Sequence, residues 1–156
     1  MQNKGRLISM DVEEWKLKEL QKRAKRAGIS IIETKVIDTT KAIKRLEASA
    51  DRLLLDVPCS GLGVLKRNPD AKWKLTLRAV EEVKIKQEEI ICNYSSMLKK
   101  EGLMVYATCS LLRSENNLQV EKFIESKKGE YSLLKEHQIF PSEGFDGFYM
   151  ALIQRN

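Results

Sequence analysis

The sequence predicts an α/β fold built on a mostly parallel sheet with an antiparallel edge, and three observations carry that prediction. Short apolar runs alternate with stretches of helical periodicity through most of the chain. One run, DRLLLD at 51–56, is apolar at consecutive positions, as expected of a strand covered on both faces. The last part of the chain, YSLLKEH and GFYMALIQR, holds two extended segments with no helical pattern between them, the signature of an antiparallel pair at a sheet edge.

The elements follow in order. RLISMD (6–11) reads as a strand ending in an acid. The next segment places Val12, Trp15, Leu20, Ala24 and Ala27 at near-helical spacing, with Lys and Arg crowding the last turns before Gly28. That is an amphipathic helix whose basic end suits its dipole. ISIIETKVID (29–38) is a second strand ending in an acid, and a short helix or turn over 39–48 leads into the third strand at 51–56. After a loop, Thr76 is placed to cap a long helix with a stripe of Val80, Val83, Ile90, Ile91, Tyr94 and Leu98, closed by Lys99-Lys100-Glu101-Gly102. GLMVYATCS (102–110) is the fourth strand, and Ser114 opens a helix carrying Val120, Phe123 and Ile124.

Composition bounds what such a chain does. Its 156 residues, 42% of them hydrophobic, suffice for one domain, read as 1–156, with a real core. Lys and Arg number 28 against 22 Asp and Glu, a formal charge of +6 that favours a polyanionic partner. Cys59, Cys92 and Cys109 are odd in number, with no C-x-x-C and a single histidine, His137, which argues against a zinc site or a disulfide framework. His137, late in the chain, reads as structural or exposed. No signal peptide, membrane-spanning run or lipidation motif is present, so a cytoplasmic chain with reduced thiols and no membrane partner is expected.

Ligands of open α/β sheets sit outside the carboxyl ends of the strands. The four predicted parallel strands end at Asp11, Asp38, Asp56 and Thr108-Cys109, with Cys59 on the loop after Asp56. Three carboxylates and two thiols are therefore expected on one rim. An acid at a single strand end is more often a helix cap or a solvated loop residue; the recurrence at every strand end shifts the weight toward a site. Cys92, inside the long helix near its apolar stripe, reads as core.

DVPCSGLGVLKRNPDAKW, followed some way on by ATCS and closed by FDGFYMALIQR, resembles the RNA cytosine-C5 methyltransferases of the Nol1/Nop2/Sun (Fmu) family, and most of all its bacterial 16S rRNA members. The Asp11 segment, with Lys16 where the family commonly has Arg, is similar to that family's second strand and helix. The resemblance implies a Rossmann-like SAM-dependent methyltransferase fold and a reaction in which a cysteine thiolate adds to carbon 6 of cytosine. Carbon 5 then becomes nucleophilic enough to take a methyl group from S-adenosyl-L-methionine (SAM). By the same resemblance Cys109 is the nucleophile, Cys59 the cysteine that assists release, and Asp56 the carboxylate that polarises the base. Asp11, Asp38, Asp56 and Pro58 are implied as cofactor contacts. The residues alone leave the nucleophile open: DNA cytosine-C5 methyltransferases also carry a Pro-Cys dipeptide, and there it is the nucleophile, which makes Cys59 the rival.

Lys66, Arg67, Lys72 and Lys74 stand against Asp70 in the loop after Cys59, with Trp73 among them. Lys66 and Arg67 are expected to contact RNA, with 16S rRNA the favoured partner, because an enzyme acting on a ring carbon must take the base out of its stack. Trp73 is expected to anchor the loop on the core. Two other classes stay in play: a non-catalytic RNA-binding remnant of the fold, and a redox or phosphatase-type thiol protein.

The family's first strand and its glycine-rich G-x-G-x-K turn have no counterpart near the start of this sequence. The expectation is a partial catalytic domain that works with an N-terminal segment or a complementary chain, and that binds SAM poorly alone. Without a strand between those ending in Asp11 and Asp56, either a gap in the ladder or a direct pairing of the two is expected.

Overall fold

Leu7–Asp11 (β1) and Ile32–Val36 (β2) pair in parallel, with Asp11 opposite Val36, and Glu14–Arg26 (α1) crosses between them. In this computed structural model, which describes residues 1–156, they belong with Thr40–Lys44 (α2) to a first compact unit, residues 1–46. Asp11 starts the helix: its Oδ1 accepts the Glu13 N–H at 2.8 Å, a local turn that redirects the chain out of the strand. The buried face of α1 is Leu17 and Ala24 with Leu20 partly covered, a spacing of three and then four. Val12 and Trp15, expected in that stripe, are both 64% exposed. Val12 lies before the helix begins, and Trp15 falls off the Leu17 face.

The second unit, residues 47–156, contains Ala50–Asp56 (β3), Ala71–Lys74 (α3), Leu77–Tyr94 (α4), Leu98–Thr108 (β4), Asn117–Ser126 (α5), Tyr131–Ile139 (β5) and Phe148–Arg155 (β6). Its sheet runs β3-β4-β6-β5: β3 and β4 are parallel, and β6 lies antiparallel to both β4 and β5. The antiparallel edge is thus where the sequence places it, with the last strand inserted between β4 and β5. The strands expected in one parallel sheet are distributed over two, β1-β2 and β3-β4-β6-β5.

The core of this unit is one apolar cluster in which Ile91 of α4 and Val120 and Phe123 of α5 meet Leu55, Tyr106 and Ile153 of the sheet. Both long helices pack on the Leu55 face, so β3 is not covered on both sides: Leu55 is buried while Leu54 is 67% exposed. Thr76 caps α4 as expected, its hydroxyl accepting the Ala79 N–H at 3.1 Å. The segment expected to close α4, Lys99–Gly102, lies instead within β4. Glu101 there has φ of 61°, and the pairing of β3 with β4 shifts register between Ala50 and Arg52, a bulge. Cys92 packs against the core, as expected. His137 is exposed on β5. No helix is long and apolar enough to cross a membrane.

Candidate active site

The parallel pairing of β3 with β4 brings their carboxyl ends side by side, Asp56 opposite Ala107, and the ladder continues one step further through Val57 N–H to the Ala107 carbonyl at 3.1 Å. Beyond that step the chain turns through Pro58-Cys59-Ser60 into Gly61, whose φ of 71° is left-handed and suits glycine. The short 3₁₀ turn Leu62–Val64 then folds back over the end of β4. Gly63 N–H donates to the Cys109 carbonyl and Gly147 N–H donates to the Gly63 carbonyl, each at 2.8 Å. The approach is close enough that a Cβ on Gly63 would lie 2.7 Å from the Cys109 carbonyl oxygen. Only glycine lets the loop sit there.

This stitching places Cys59 Sγ 3.2 Å from Cys109 Sγ, both thiols free and partly buried. The two then titrate in opposite directions. The hydrogen bond from Cys59 holds the Cys109 thiol down to about 7, against the opposing effects of burial and of the Asp56 and Glu115 carboxylates. The same hydrogen bond and burial push the Cys59 thiol far up. Of the two, Cys109 is the thiol that ionises more readily and Cys59 the one that favours its protonated form.

Beneath the pair lies a buried polar network that sequence reasoning missed. Glu115, fully buried, accepts from Ser60 N–H at 2.7 Å and Gln87 Nε2 at 3.0 Å on one oxygen, and from Ser110 Oγ at 2.6 Å on the other. Each bond to the carboxylate contributes roughly 2 kcal/mol, which offsets the desolvation of the charge. The turn presenting Glu115 is itself pinned: Tyr106 Oη donates to the Glu115 carbonyl at 2.8 Å, and Thr108 Oγ1 donates to Asn116 Oδ1 at 2.6 Å. Consequently α5 begins at Asn117 and not at Ser114, because 113–116 form the turn. The only signal in sequence was Glu115-Asn116 ahead of a helix, which reads equally well as a cap.

Asp56 is exposed, and its carboxylate makes no hydrogen bond or ion pair within the chain, so it is open to a ligand. Pro58 is exposed, and its carbonyl accepts from Gln87 Nε2 at 2.9 Å. Lys66 is exposed; Arg67 is exposed too, but its guanidinium pairs with Asp146 in the β5–β6 connection. Trp73 does not anchor the loop. It is 81% exposed on an α3 that buries none of its residues, with Lys72 Nζ 4.8 Å from its ring centroid. In the first unit, Asp11 and Asp38 lie at the carboxyl edge of the β1-β2 pair. Asp11 is half-buried, with Lys16 Nζ at 3.8 Å, and Asp38 is exposed, accepting only from the Thr39 hydroxyl at 3.3 Å.

A family model described as 16S rRNA methyltransferase RsmB/F matches residues 1–154. The chain belongs to that family. Among curated relatives, it is 36% identical to the ribosomal RNA small subunit methyltransferase B of Pectobacterium atrosepticum over 98% of its own length and 37% of the relative's. Among solved structures, it superposes on PH0851 with a TM-score of 0.93 at 30% identity, over 99% of this chain and 38% of that one. It superposes on NSun6 from Pyrococcus horikoshii, solved with SFG, with a TM-score of 0.86 at 26% identity, over 98% of this chain and 42% of that one. These family relationships establish a Rossmann-like methyltransferase fold for the chain. The chain spans 28–37% of the length of the first curated relatives it matches.

Proposed function

We propose that these residues form the catalytic part of an enzyme that methylates carbon 5 of cytosine in RNA, with 16S rRNA as substrate, SAM as methyl donor and the cytoplasm as its place of action. The observation that carries this reading is the 3.2 Å contact between Cys59 and Cys109 beside the unpaired carboxylate of Asp56. Family membership and the relative solved with SFG, a SAM analogue, support it.

In this reading the Cys109 thiolate forms a bond to carbon 6 of the cytosine, and the displaced π electrons are held through N3, where Asp56 shares a proton. SAM, when bound, supplies the electrophilic methyl group that carbon 5 attacks. Release needs loss of the carbon 5 proton and departure of Cys109 as thiolate. Cys59 assists that step: while Cys109 is bonded to the base it no longer accepts the Cys59 hydrogen bond, so the second thiol is freed to take part in proton transfer. A lone thiol would have to serve both steps.

Asp11, Asp38, Asp56 and Pro58 are assigned to cofactor contacts. Asp11 and Asp38 suit the task chemically, as acceptor-only groups at the carboxyl edge of a parallel pair, where ribose hydroxyls and an adenine amino group donate. Lys66 and Arg67 are assigned to the RNA backbone.

The deciding experiment is covalent trapping on RNA containing 5-azacytosine. Wild type and Cys59→Ala should both form an adduct on that analogue, Cys59→Ala should also accumulate one on unmodified RNA, and Cys109→Ala should form none on either. The reverse pattern would make Cys59 the nucleophile, and salt-sensitive RNA binding with no adduct in any variant would mark a non-catalytic RNA-binding protein.

A further inference from the structure

Each cysteine of the pair is followed by a serine, Cys59-Ser60 and Cys109-Ser110, and one carboxylate holds both serines. Glu115 Oε2 accepts the Ser60 N–H at 2.7 Å and Glu115 Oε1 accepts the Ser110 hydroxyl at 2.6 Å, while the two serine hydroxyls meet at 3.0 Å. Gln87, also fully buried, extends the clip: its Nε2 reaches Glu115 Oε2 at 3.0 Å and the Pro58 carbonyl, just before Cys59, at 2.9 Å. Both thiols are therefore one residue away from groups fastened to the same side chain.

We propose that Glu115 is a positioning residue that sets the separation of the Cys59 and Cys109 thiols through Ser60 and Ser110, without itself touching the reacting base. The proposal rests on reading those thiols as the nucleophile and release pair. The side-chain type follows from the donors. A backbone N–H from the loop after β3, a hydroxyl from the loop after β4 and an amide from α4 converge on one buried point, and an acceptor-only group with two oxygens satisfies all three. Activation of the thiol is not its task, because the Glu115 charge works against the Cys109 thiolate. Its geometric and electrostatic effects on Cys109 have opposite signs, and this separates them experimentally. Glutamine keeps the shape while removing the charge: its oxygen faces Ser60 and Gln87, and the Ser110 hydroxyl turns to accept from its amide. Alanine removes both.

The test follows how fast the chain closes a Cys59–Cys109 disulfide with diamide, which takes up the two electrons and two protons that the thiols lose. Peptide mapping identifies the bond, and ultraviolet titration follows the Cys109 thiolate. The groups facing that thiol are Cys59 on the loop after β3, Asp56 at the end of β3 and Glu115 before α5. Glu115→Ala should close the bond at least about tenfold more slowly, since effective concentration falls steeply with misplacement. Its Cys109 midpoint should also rise from about 7 toward the ordinary 9.0, because the Cys59 hydrogen bond is lost. Glu115→Gln should close within about threefold of wild type, with a midpoint no higher than wild type. Should Glu115→Ala fail to fold, Ser110→Ala, which removes one arm of the clip, should still slow closure by about threefold or more. Closure at the wild-type rate in Ser110→Ala, or in a folded Glu115→Ala with an unshifted midpoint, would overturn the proposal. So would a Glu115→Gln protein as slow as Glu115→Ala. No RNA or SAM enters these measurements, so a wild type that closes the bond readily but forms no RNA adduct would sink the catalytic reading and leave the positioning role standing.

Discussion

Cys59 and Trp73 lie on the same connection between β3 and α4, yet the two halves of that connection are built in opposite ways. The first half is fastened to four other segments: to the end of β4 and to the β5–β6 connection through Gly63, to the turn before α5 through Ser60, and to α4 through Pro58. The second half is mostly in solvent, held by its own turns and by the Arg67–Asp146 pair. A group that must meet a second thiol needs fixed geometry before substrate arrives. Groups that neutralise phosphate act at longer range and tolerate loose placement.

The sharpest way to break this comparison is at the thiols. Cys109→Ala should lower methyl transfer by on the order of a thousandfold or more, read as loss of label incorporated into RNA. Next comes the backbone approach that makes the fastened half possible. Gly63→Ala places a Cβ against carbonyl oxygens and should destabilise the fold by about 3 kcal/mol, measured by urea denaturation. The pH dependence sharpens the contrast further. With Cys109 as the proposed nucleophile and its thiol held down to about 7, adduct formation should rise with pH through that value and level off above it. In Cys59→Ala the rise should move toward 9.0, since the hydrogen bond that lowers Cys109 is gone.

The solvated half should respond more gently. Lys66→Ala should weaken RNA binding and reduce the slope of log affinity against log salt by about one. Arg67→Ala should do less, because Asp146 already pairs with that guanidinium. Smallest of all, Trp73→Ala should change stability by no more than about 0.5 kcal/mol in denaturation, since the ring is 81% exposed.

Much of the fold was legible because local chemistry and burial agree. Thr76 is a capping residue ahead of a periodic stripe, and it caps α4. The closing extended segments alternate as an antiparallel edge requires, and β5 and β6 pair that way. Where local pattern and tertiary context diverge, the sequence misleads. Trp15 and Trp73 look like core by their apolar bulk, but apolar bulk does not say which way a short helix faces. Leu54 and Leu55 read alike, and only the placement of both helices on one face of the sheet separates them. Glu115 was hidden for the opposite reason: a buried carboxylate is recognisable only by donors arriving from distant segments, and Ser60, Gln87 and Ser110 are far from one another in the chain.

By itself, the sequence determined which groups stand at the strand ends, Asp56 with Cys59 after one strand and Cys109 after another, because strand boundaries and side-chain types are local properties. Tertiary structure decided that the two thiols touch, that their contact shifts Cys59 toward the thiol and Cys109 toward the thiolate, and that a single buried carboxylate holds both loops. Proton affinity depends on distance and burial, and neither exists until separate segments have packed together.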